Sequence, residues 1–459
     1  MAARRKIAVF PEPAAVGPLM NLVGICQALR ELGHDCVFIL DPGLADSAAR
    51  YGFDERLFSC TPPMTPEQSA KYWDDFMREH LASFRASPYD QIPTYVKACW
   101  EAIAETSKWS VRNGLGECLR ELAPDLIVND NVALYPDTER AGCPWVRMIS
   151  CSENEIPDPD IPPHCSGCSE NDRAGFERFS ARFREAIGPI HREFMDFIED
   201  CGCKRLRFPE FVAPSPHLNL LLHPKPLRYQ RRHPLDPATF AYLDGCVRRE
   251  VEPYEPPRFE KNQSGPLIYL SFGSLGVADV DLIQRMIDVL AATRYRVLVN
   301  VGSYADRYAP PPGNIQLAAW YPQTALLPHC DVVIQHGGNN TLNETLYFGK
   351  APLVMPFAWD GHDNAQRMND TGHGIGMHRY AWSDGELLAN IERLLTDPSI
   401  RARLAGTSAH MRAHDGRREA ARRIDALLRT SQRGRALQKR TRSPARGRMP
   451  GARKPIASS

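Results

Sequence analysis

Long apolar runs are absent from this 459-residue sequence, and none approaches the roughly 20 residues needed to cross a bilayer. The amino terminus carries basic residues, but its apolar core, Ile7 to Phe10, is only four residues long. A secretory signal needs about 7–15 apolar residues, so we expect a cytoplasmic protein. The composition, 43% hydrophobic and 24% charged, is that of a globular chain, and the length predicts two or three domains.

Cysteine is present in an odd number, 13, and is scattered along the chain, which does not favour a disulfide framework. One group could form a four-thiolate zinc site: Cys165 and Cys168 together with Cys201 and Cys203. The second pair is more closely spaced than zinc ligands usually are. We therefore expect free thiols in a reducing compartment.

Acidic residues are missing from the last 30 positions. Residues 430–459 contain nine Lys and Arg and no Asp or Glu, which leaves 47 basic and 55 acidic residues in the rest of the chain. The tail is also poor in apolar residues, so it is predicted to be disordered. A basic tail can contact anionic surfaces weakly, and a solvated extension is the simpler interpretation.

Apolar segments alternate with helical patterns and predict an α/β protein with parallel sheets. A proline-rich, charged stretch divides the chain into a first domain (1–224), a linker (225–264), a second domain (265–429) and the tail (430–459). Two doubly wound domains would face each other across a cleft, where open parallel sheets bind their ligands. The predicted strands are 7–10, 37–40, 126–128, 146–149, 218–222, 267–271, 297–301, 332–335 and 353–356.

The most informative segment is 320–364. A strand ending at Gln335 is followed by His336, two glycines and Asn339, which open a helix. Glycines allow a ligand to approach the backbone, and a helix N-terminus offers free N–H groups to a phosphate. Glu344, one turn further along, could accept hydrogen bonds from a ribose diol. Taken alone, the segment is equally consistent with a plain capped helix.

The order and spacing of this segment resemble family 1 glycosyltransferases, the UDP-glycosyltransferase superfamily with the GT-B fold. The family signature, W-x-P-Q, then H-x-G-x-N-S/T-x-x-E, then P-x-x-x-D-Q-x-x-N-A, is matched from Trp320 to Ala365. The SFGS stretch at 271–274 resembles the first turn of the family's C-terminal domain. The resemblance extends to about Arg429 and is weaker in the N-terminal half. It implies two Rossmann-like doubly wound domains, the first binding the acceptor and the second a nucleotide-diphosphate sugar.

The resemblance also implies roles for individual residues. Trp320 would stack on the nucleobase and Gln323 would bind its edge, Glu344 would bind the ribose, and Asp360 would contact sugar hydroxyls. Gly361 replaces the family's Gln, which leaves the donor sugar open. The donor-binding residues are Ser274, Trp320, Gln323, His336, Gly338, Asn340, Thr341, Glu344 and Asp360.

The catalytic base is the main departure from the family. Ala15 stands where the family usually has the His that deprotonates the acceptor, whereas its partner is retained as Asp130. Glu12 or Asp130 could be the base if burial raised the pKa of its carboxyl. Alternatively, an acidic acceptor would need little help, or catalysis has been lost. Other histidines, including His164, are interpreted as structural.

The sequence thus predicts a glycosyltransferase, inverting by in-line attack, that moves a sugar from a UDP or TDP donor to a hydroxyl of a small hydrophobic acceptor. No cofactor or catalytic metal is expected; Asp158 and Asp160 have the spacing of a metal-binding pair but lie far from the motif. The alternative is a non-catalytic nucleotide-sugar-binding or helper protein of the same fold, favoured by Ala15. A sugar-nucleotide epimerase is disfavoured by the Trp-x-Pro-Gln element.

Overall fold

The computed structural model describes residues 4–13, 15–62 and 64–441. They form two parallel sheets covered by helices. The seven-stranded sheet has the order β3-β2-β1-β4-β5-β6-β7, and the six-stranded sheet has the order β10-β9-β8-β11-β12-β13. The strands β1 to β7 are Lys6–Pro11, Asp35–Leu40, Asp54–Leu57, Leu126–Asp130, Trp145–Ile149, Leu218–Leu222 and Phe240–Leu243; β8 to β13 are Leu267–Ser271, Arg296–Asn300, Ile315–Ala318, Val332–Gln335, Ala351–Val354 and Ile375–Gly376.

Helices connect these strands and cover both faces of the sheets. Within the described residues no helix is both long enough and apolar enough to span a membrane. The helices α1 to α7 are Val16–Glu31, Pro66–His80, Pro88–Gln91, Lys97–Arg112, Leu115–Leu122, Pro136–Arg140 and Arg173–Asp200; α8 to α15 are Gly273–Gly276, Val280–Ala291, Gln323–Leu326, Asn339–Tyr347, Asp360–Thr371, Asp384–Thr396, Pro398–Ala413 and Gly416–Thr441.

Both sheets are doubly wound. In each, the strand order reverses beside the first strand, between β1 and β4 in one sheet and between β8 and β11 in the other. Strands buried on both faces read as continuous apolar runs, as in Ile268 to Leu270, which are at most 1% exposed. Ligands bind outside the carboxyl ends of such strands at the point of reversal. The predicted fold class, two Rossmann-like α/β domains, is confirmed.

The segment predicted as the linker begins inside the first sheet. Residues 240–243 form β7, the seventh strand, which pairs in parallel with β6. The prolines and charges around this short strand obscured it in the sequence. The remainder, 244–264, crosses to the second domain without regular structure.

The carboxyl-terminal part of the chain returns to the first domain. The last helix, α15, packs on α1, and Ala420, Ala421, Ile424 and Leu428 are buried in the first domain's core. His34, 1% exposed, contacts Asp425 at 3.3 Å. The segment predicted to be disordered, 430–459, therefore starts inside a helix that continues to Thr441. Residues 442–459 lie outside the described residues.

The thirteen cysteines form no disulfide bonds, and the four that could have held zinc form no metal-ligand group among the described residues. Cys165 and Cys168 lie in the loop before α7, whereas Cys201 and Cys203 follow the other end of that 28-residue helix.

Because α15 completes the first domain's core, a cavity in it should weaken that domain. Ile424 is fully buried, so Ile424→Ala is expected to lower the free energy of unfolding by about 2–5 kcal/mol. The measurement is the denaturant midpoint, with Arg422→Ala on the exposed face of the same helix as control, expected within about 0.5 kcal/mol of the parent. Equal midpoints for both variants would show that α15 does not stabilise the domain.

Candidate functional site

The candidate site lies where the carboxyl ends of the two sheets approach each other. Helix α1 starts just after β1, and helix α11 starts just after β11. A Cβ added to Gly17 would lie 3.9 Å from the Cβ of Asn340, so the two helix N-termini are in close contact. Each N-terminus contributes unpaired N–H groups and a partial positive charge. The cleft between the domains is therefore suited to an anionic group.

The start of α11 is held on the first domain by Asn339. Its side-chain amide donates to the carbonyl oxygens of Ser150 (2.8 Å) and Leu222 (3.0 Å). Ser150 directly follows β5, and Leu222 is the last residue of β6. Its backbone N–H donates to the Asp360 carboxylate at 2.8 Å. The sequence placed Asn339 among the residues that open this helix but assigned it no role, because the family signature matches Asn340 instead.

His336 fills the space between two chain turns. A Cβ on Gly273 would lie 2.6 Å from the Cε1 of His336, and a Cβ on Gly338 would lie 2.5 Å from its Nε2. The ring therefore requires glycine at both positions. Burial, with the charge of Arg379 adding, lowers the pKa of His336 to about 4, so the imidazole is neutral near pH 7. A neutral ring can donate one hydrogen bond to an oxyanion.

Trp320, Gln323, Thr341 and Glu344 border the cleft next to α11. Gln323 donates to the Thr341 hydroxyl (3.2 Å) and to one oxygen of Glu344 (2.5 Å). Trp320 is 52% exposed, and the guanidinium carbon of Arg50 lies 5.2 Å from its ring centroid. Ser274 is exposed in the first turn of α8, directly after β8. The structure thus places Ser274 and the first turn of α11 at the reversal point of the second sheet, and Gln323, which follows β10, in contact with α11.

Glu344 has a cationic partner that the sequence did not indicate. Arg248, from the segment connecting the domains, contacts its second oxygen at 2.5 Å, and both side chains are at most 4% exposed. Arg248 also pairs with Glu250 at 3.0 Å and bonds the Tyr51 hydroxyl. A buried carboxylate requires such a partner. Nothing distinguishes Arg248 from its charged neighbours in the sequence, because only the fold brings it to Glu344.

Asp360 follows a residue with unusual backbone geometry. Trp359 has φ 58° and ψ −142°, a conformation that is strained for any residue with a side chain. Asp360 then begins α12 and accepts from Asn364 at 3.3 Å, and burial raises its pKa to about 7. A Cβ on Gly361 would lie 2.5 Å from the carbonyl oxygen of His336. The Gln of the family would not fit this backbone, which accounts for the glycine.

The position at which the family usually has its catalytic His lies at the N-terminus of α1. Ala15 is the residue before this helix, and its methyl group provides no cap and no proton acceptor. Glu12 lies nearby, but its carboxylate accepts from the Val132 N–H (3.0 Å) and the Tyr135 hydroxyl (3.3 Å). Both of its oxygens are therefore already in hydrogen bonds. Burial also raises the pKa of Glu12 to about 7.

Asp130 ends β4, beside the reversal point of the first sheet. It is 5% exposed, and its Oδ2 is without a hydrogen-bond partner among the described residues. Burial raises its pKa to about 8, with Ser150 opposing the shift by hydrogen bonding and the charges of Glu155 and Glu12 adding to it. Asp130 thus combines a free oxygen with a pKa near neutrality, which suits proton transfer.

A cavity of about 240 Å³ lies in the first domain. Its apolar walls include Trp100 and four phenylalanines, and its polar end includes Arg147 and Glu155, which pair at 3.0 Å. His164, interpreted as structural from the sequence, also lines it and lies 3.6 Å from Asp363 of the second domain. The phenylalanines are Phe179, Phe183, Phe208 and Phe211.

Removing one partner of the Arg248–Glu344 pair would leave a buried charge unpaired. Arg248→Met is expected to lower the free energy of unfolding by about 3–5 kcal/mol, and Arg248→Met combined with Glu344→Gln should recover much of that loss. Both are measured by denaturant unfolding. Arg249→Ala, which removes an exposed neighbour paired with Glu31, serves as control and should change stability by about 0.5 kcal/mol or less. A single variant as stable as the parent would show that the pair is not needed.

The sequence of this chain is similar to those of known glycosyltransferases. Residues 285–427 match the family model of the erythromycin biosynthesis protein CIII-like C-terminal domain. The chain is 23% identical to the NDP-glycosyltransferase YjiC of Bacillus subtilis (strain 168) over 328 residues, 70% of this chain and 77% of that protein. It is 23% identical to the demethyllactenocin mycarosyltransferase of Streptomyces fradiae over 434 residues, 92% of this chain and 86% of that protein.

Among solved structures, the glycosyltransferase VinC in complex with DTDP superposes with a TM-score of 0.62 at 19% identity, covering 93% of this chain and 100% of that one. This likeness shows the fold, in which the two sheets face each other across the cleft described above. The resemblance to family 1 glycosyltransferases seen in the sequence is confirmed by these similarities, and the two domains have the GT-B fold of the structural neighbours.

Proposed function

We propose that this protein transfers a sugar from a nucleoside diphosphate donor to a hydroxyl group of a small hydrophobic acceptor, and that the donor nucleotide is thymidine diphosphate. The observation that carries the proposal is the meeting of the two sheets' reversal points, one bearing Ser274 and His336 and the other bearing Asp130. The VinC complex with DTDP supports the choice of nucleotide, and uridine diphosphate is the alternative.

In this proposal the diphosphate lies at the N-terminus of α11, between His336 and Ser274. Free backbone N–H groups there would stabilise the charge that develops as the diphosphate leaves, so the step requires no metal ion. His336, with its pKa near 4, would donate as a neutral ring and keep its proton throughout. Asn340 and Thr341 would complete the contacts to phosphate oxygens.

The nucleoside would be bound by Trp320, Gln323 and Glu344. Arg248 neutralises one oxygen of Glu344, so the other oxygen can exchange Gln323 for the ribose hydroxyls without leaving a buried charge unpaired. Gln323 would then be free to turn to the edge of the base. Trp320, exposed on one face, would stack on that base in place of Arg50.

The acceptor would occupy the aromatic cavity of the first domain. Its rings and prolines favour an apolar or aromatic molecule, and Arg147 and Glu155 at its polar end would bind substituents. The acceptor hydroxyl would attack the anomeric carbon in line with the departing diphosphate, which inverts the configuration. Asp130 would remove the proton of that hydroxyl. His164 is a weaker candidate, because Cys165 and Asp363 raise its pKa well above the ordinary value, and a protonated ring accepts no proton.

The alternative is a helper protein that binds a nucleotide sugar without transferring it. Ala15 favours this alternative, because the residue that usually removes the acceptor proton is replaced by a methyl group. Donor binding is common to both functions, whereas sugar transfer distinguishes them.

The donor site can be tested at Trp320, whose side chain is exposed and contributes little to folding. Trp320→Ala is expected to weaken thymidine diphosphate binding roughly 5- to 150-fold, because stacking of a base contributes about 1–3 kcal/mol. Calorimetric titration with thymidine and uridine diphosphates gives the two affinities, and Leu57→Ala, 49% exposed on β3, is the control. If neither nucleotide binds the parent, the donor site is wrongly assigned.

The proposed base predicts a pH dependence. The Asp130 carboxyl must be ionised to accept a proton, so turnover with an alcohol acceptor should rise as the pH increases through about 8. Asp130→Asn should lower turnover at least about tenfold, abolish this rise, and leave thymidine diphosphate affinity unchanged. A phenol acceptor should be affected less, because it ionises more readily.

Glu12→Gln and His164→Gln are the matched comparisons, measured with the same acceptors across the same pH range. If Asp130→Asn keeps the parental rate and profile while one of these loses them, that residue is the base instead. If the parent binds the nucleotide but transfers sugar to no acceptor, the helper function is correct.

A further inference from the structure

Away from the cleft, two histidines and an aspartate converge at the point where the chain crosses between the domains. Asp244 follows β7, where the chain leaves the first domain, and His410 and His414 lie at the end of α14, where it returns. One ligand atom of each residue lies within 4.8 Å of the other two. In the described part of the chain this is the one group of His, Cys, Asp and Glu with such geometry.

From this arrangement we propose that Asp244, His410 and His414 bind a divalent transition metal ion of the zinc type and thereby fasten the two crossing segments together. Neither the proposed transfer reaction nor its donor site depends on this ion.

The distances suit such an ion. The Nε2 of His410 lies 3.2 Å from the Oδ1 of Asp244. Two ligands each about 2.0–2.2 Å from a tetrahedral zinc ion are separated by about 3.4 Å, so the spacing of this pair fits a zinc ion. His410 and His414 are one helical turn apart, and their ring centroids lie 4.2 Å apart. His414 directly follows α14, but its backbone N–H still donates to the carbonyl oxygen of His410 at 3.1 Å, which keeps the two rings on the same side of the helix end.

The tautomer of His414 is fixed in the way that metal binding requires. Its Nδ1 lies 2.8 Å from the carbonyl oxygen of His410. Because a carbonyl oxygen only accepts, Nδ1 carries the proton and Nε2 keeps its lone pair for a metal. Histidines that ligate metals usually donate their other N–H to a carbonyl or carboxylate in this manner. The Nε2 of His410 has no hydrogen-bond partner among the described residues.

The surroundings allow an ion to enter. His414 is exposed, and the side chains of His410 and Asp244 are 24% and 14% exposed. The Oδ1 of Asp244, the oxygen nearest His410, also accepts from Arg228 at 2.9 Å and from the Lys225 N–H at 2.6 Å. A bound cation would share this carboxylate with Arg228, so Arg228 weakens the site by competing for its negative charge.

The location of the three ligands would let the ion hold two segments of the chain together. A Cβ on Gly416 would lie only 2.5 Å from the carbonyl oxygen of Gly245, so the outgoing and returning segments touch beside the three ligands. The side chain of Arg412 bonds the carbonyl oxygen of Tyr347, which places the cluster at the carboxyl end of α11. That end is about 13 Å from the N-terminus of the same nine-residue helix, where we place the diphosphate. The site is therefore structural and separate from the chemistry.

The test uses the full chain, freed of metal with EDTA and titrated with Zn²⁺ against a chromophoric chelator. The parent should bind one Zn²⁺ that the double variant, His410→Gln with His414→Gln, does not bind. The thirteen thiols are common to both proteins, so zinc bound to cysteine cancels in the comparison. Asp244→Asn alone should weaken Zn²⁺ binding at least about tenfold, and Arg228→Gln should strengthen it.

Two further variants and a Co²⁺ measurement control for misfolding and for zinc bound elsewhere. His414→Gln alone alters an exposed side chain and should fold like the parent, so it replaces the double variant if that variant is unstable. His329→Gln, at an exposed histidine elsewhere, should bind Zn²⁺ like the parent. Co²⁺ added to the parent should give the visible absorption of a nitrogen and oxygen site without a thiolate charge-transfer band. Equal Zn²⁺ stoichiometry and affinity in the parent and the His410 and His414 variants would overturn the proposal.

Discussion

The arrangement of the cleft depends on the amide of one side chain, that of Asn339. It donates to two carbonyl oxygens at the carboxyl ends of β5 and β6. An amide buried at 4% exposure without these partners would be unfavourable, so the two domains satisfy each other's polar groups. Asn343 in turn donates to the oxygen of Asn339 at 2.8 Å. The first turn of α11 is thereby fixed relative to the ends of β5 and β6, and β5 pairs with β4, which ends at Asp130.

Burial around the cleft also determines the protonation of its carboxyl groups. Glu12, Asp130 and Asp360 are all shifted to pKa values of about 7 to 8, and burial is the main cause in each case. Glu344, equally buried, is instead paired with Arg248. The site thus contains one carboxylate stabilised by a fixed cation and three carboxyl groups poised between charged and neutral forms. Of these three, Asp130 alone has a buried oxygen that lacks a hydrogen-bond partner among the described residues, which suits it to proton transfer, whereas Glu344 is held in constant hydrogen bonds.

Much of this could be predicted from the sequence, because apolar runs and the motif from Trp320 to Ala365 are local patterns. The strand from Leu267 to Ser271 and the helix starting after Gly338 are where the pattern placed them. The short strand β7 and the return of α15 were not predicted, because their stability comes from partners distant in sequence. Arg248 was missed for the same reason. The engaged state of Glu12 depends on Val132 and Tyr135, more than a hundred residues away.

The return of the last helix to the first domain affects how the protein is made. A ribosome synthesises the seven strands of the first sheet well before the residues from Ala420 to Leu428 that complete their core. Domains of many proteins fold in order as they emerge, the N-terminal one first. Here the N-terminal domain keeps an apolar groove along α1 open until the second domain has also been translated. Its maturation therefore waits for the second domain, and a chain terminated before Ala420 would expose that groove to chaperones and proteases.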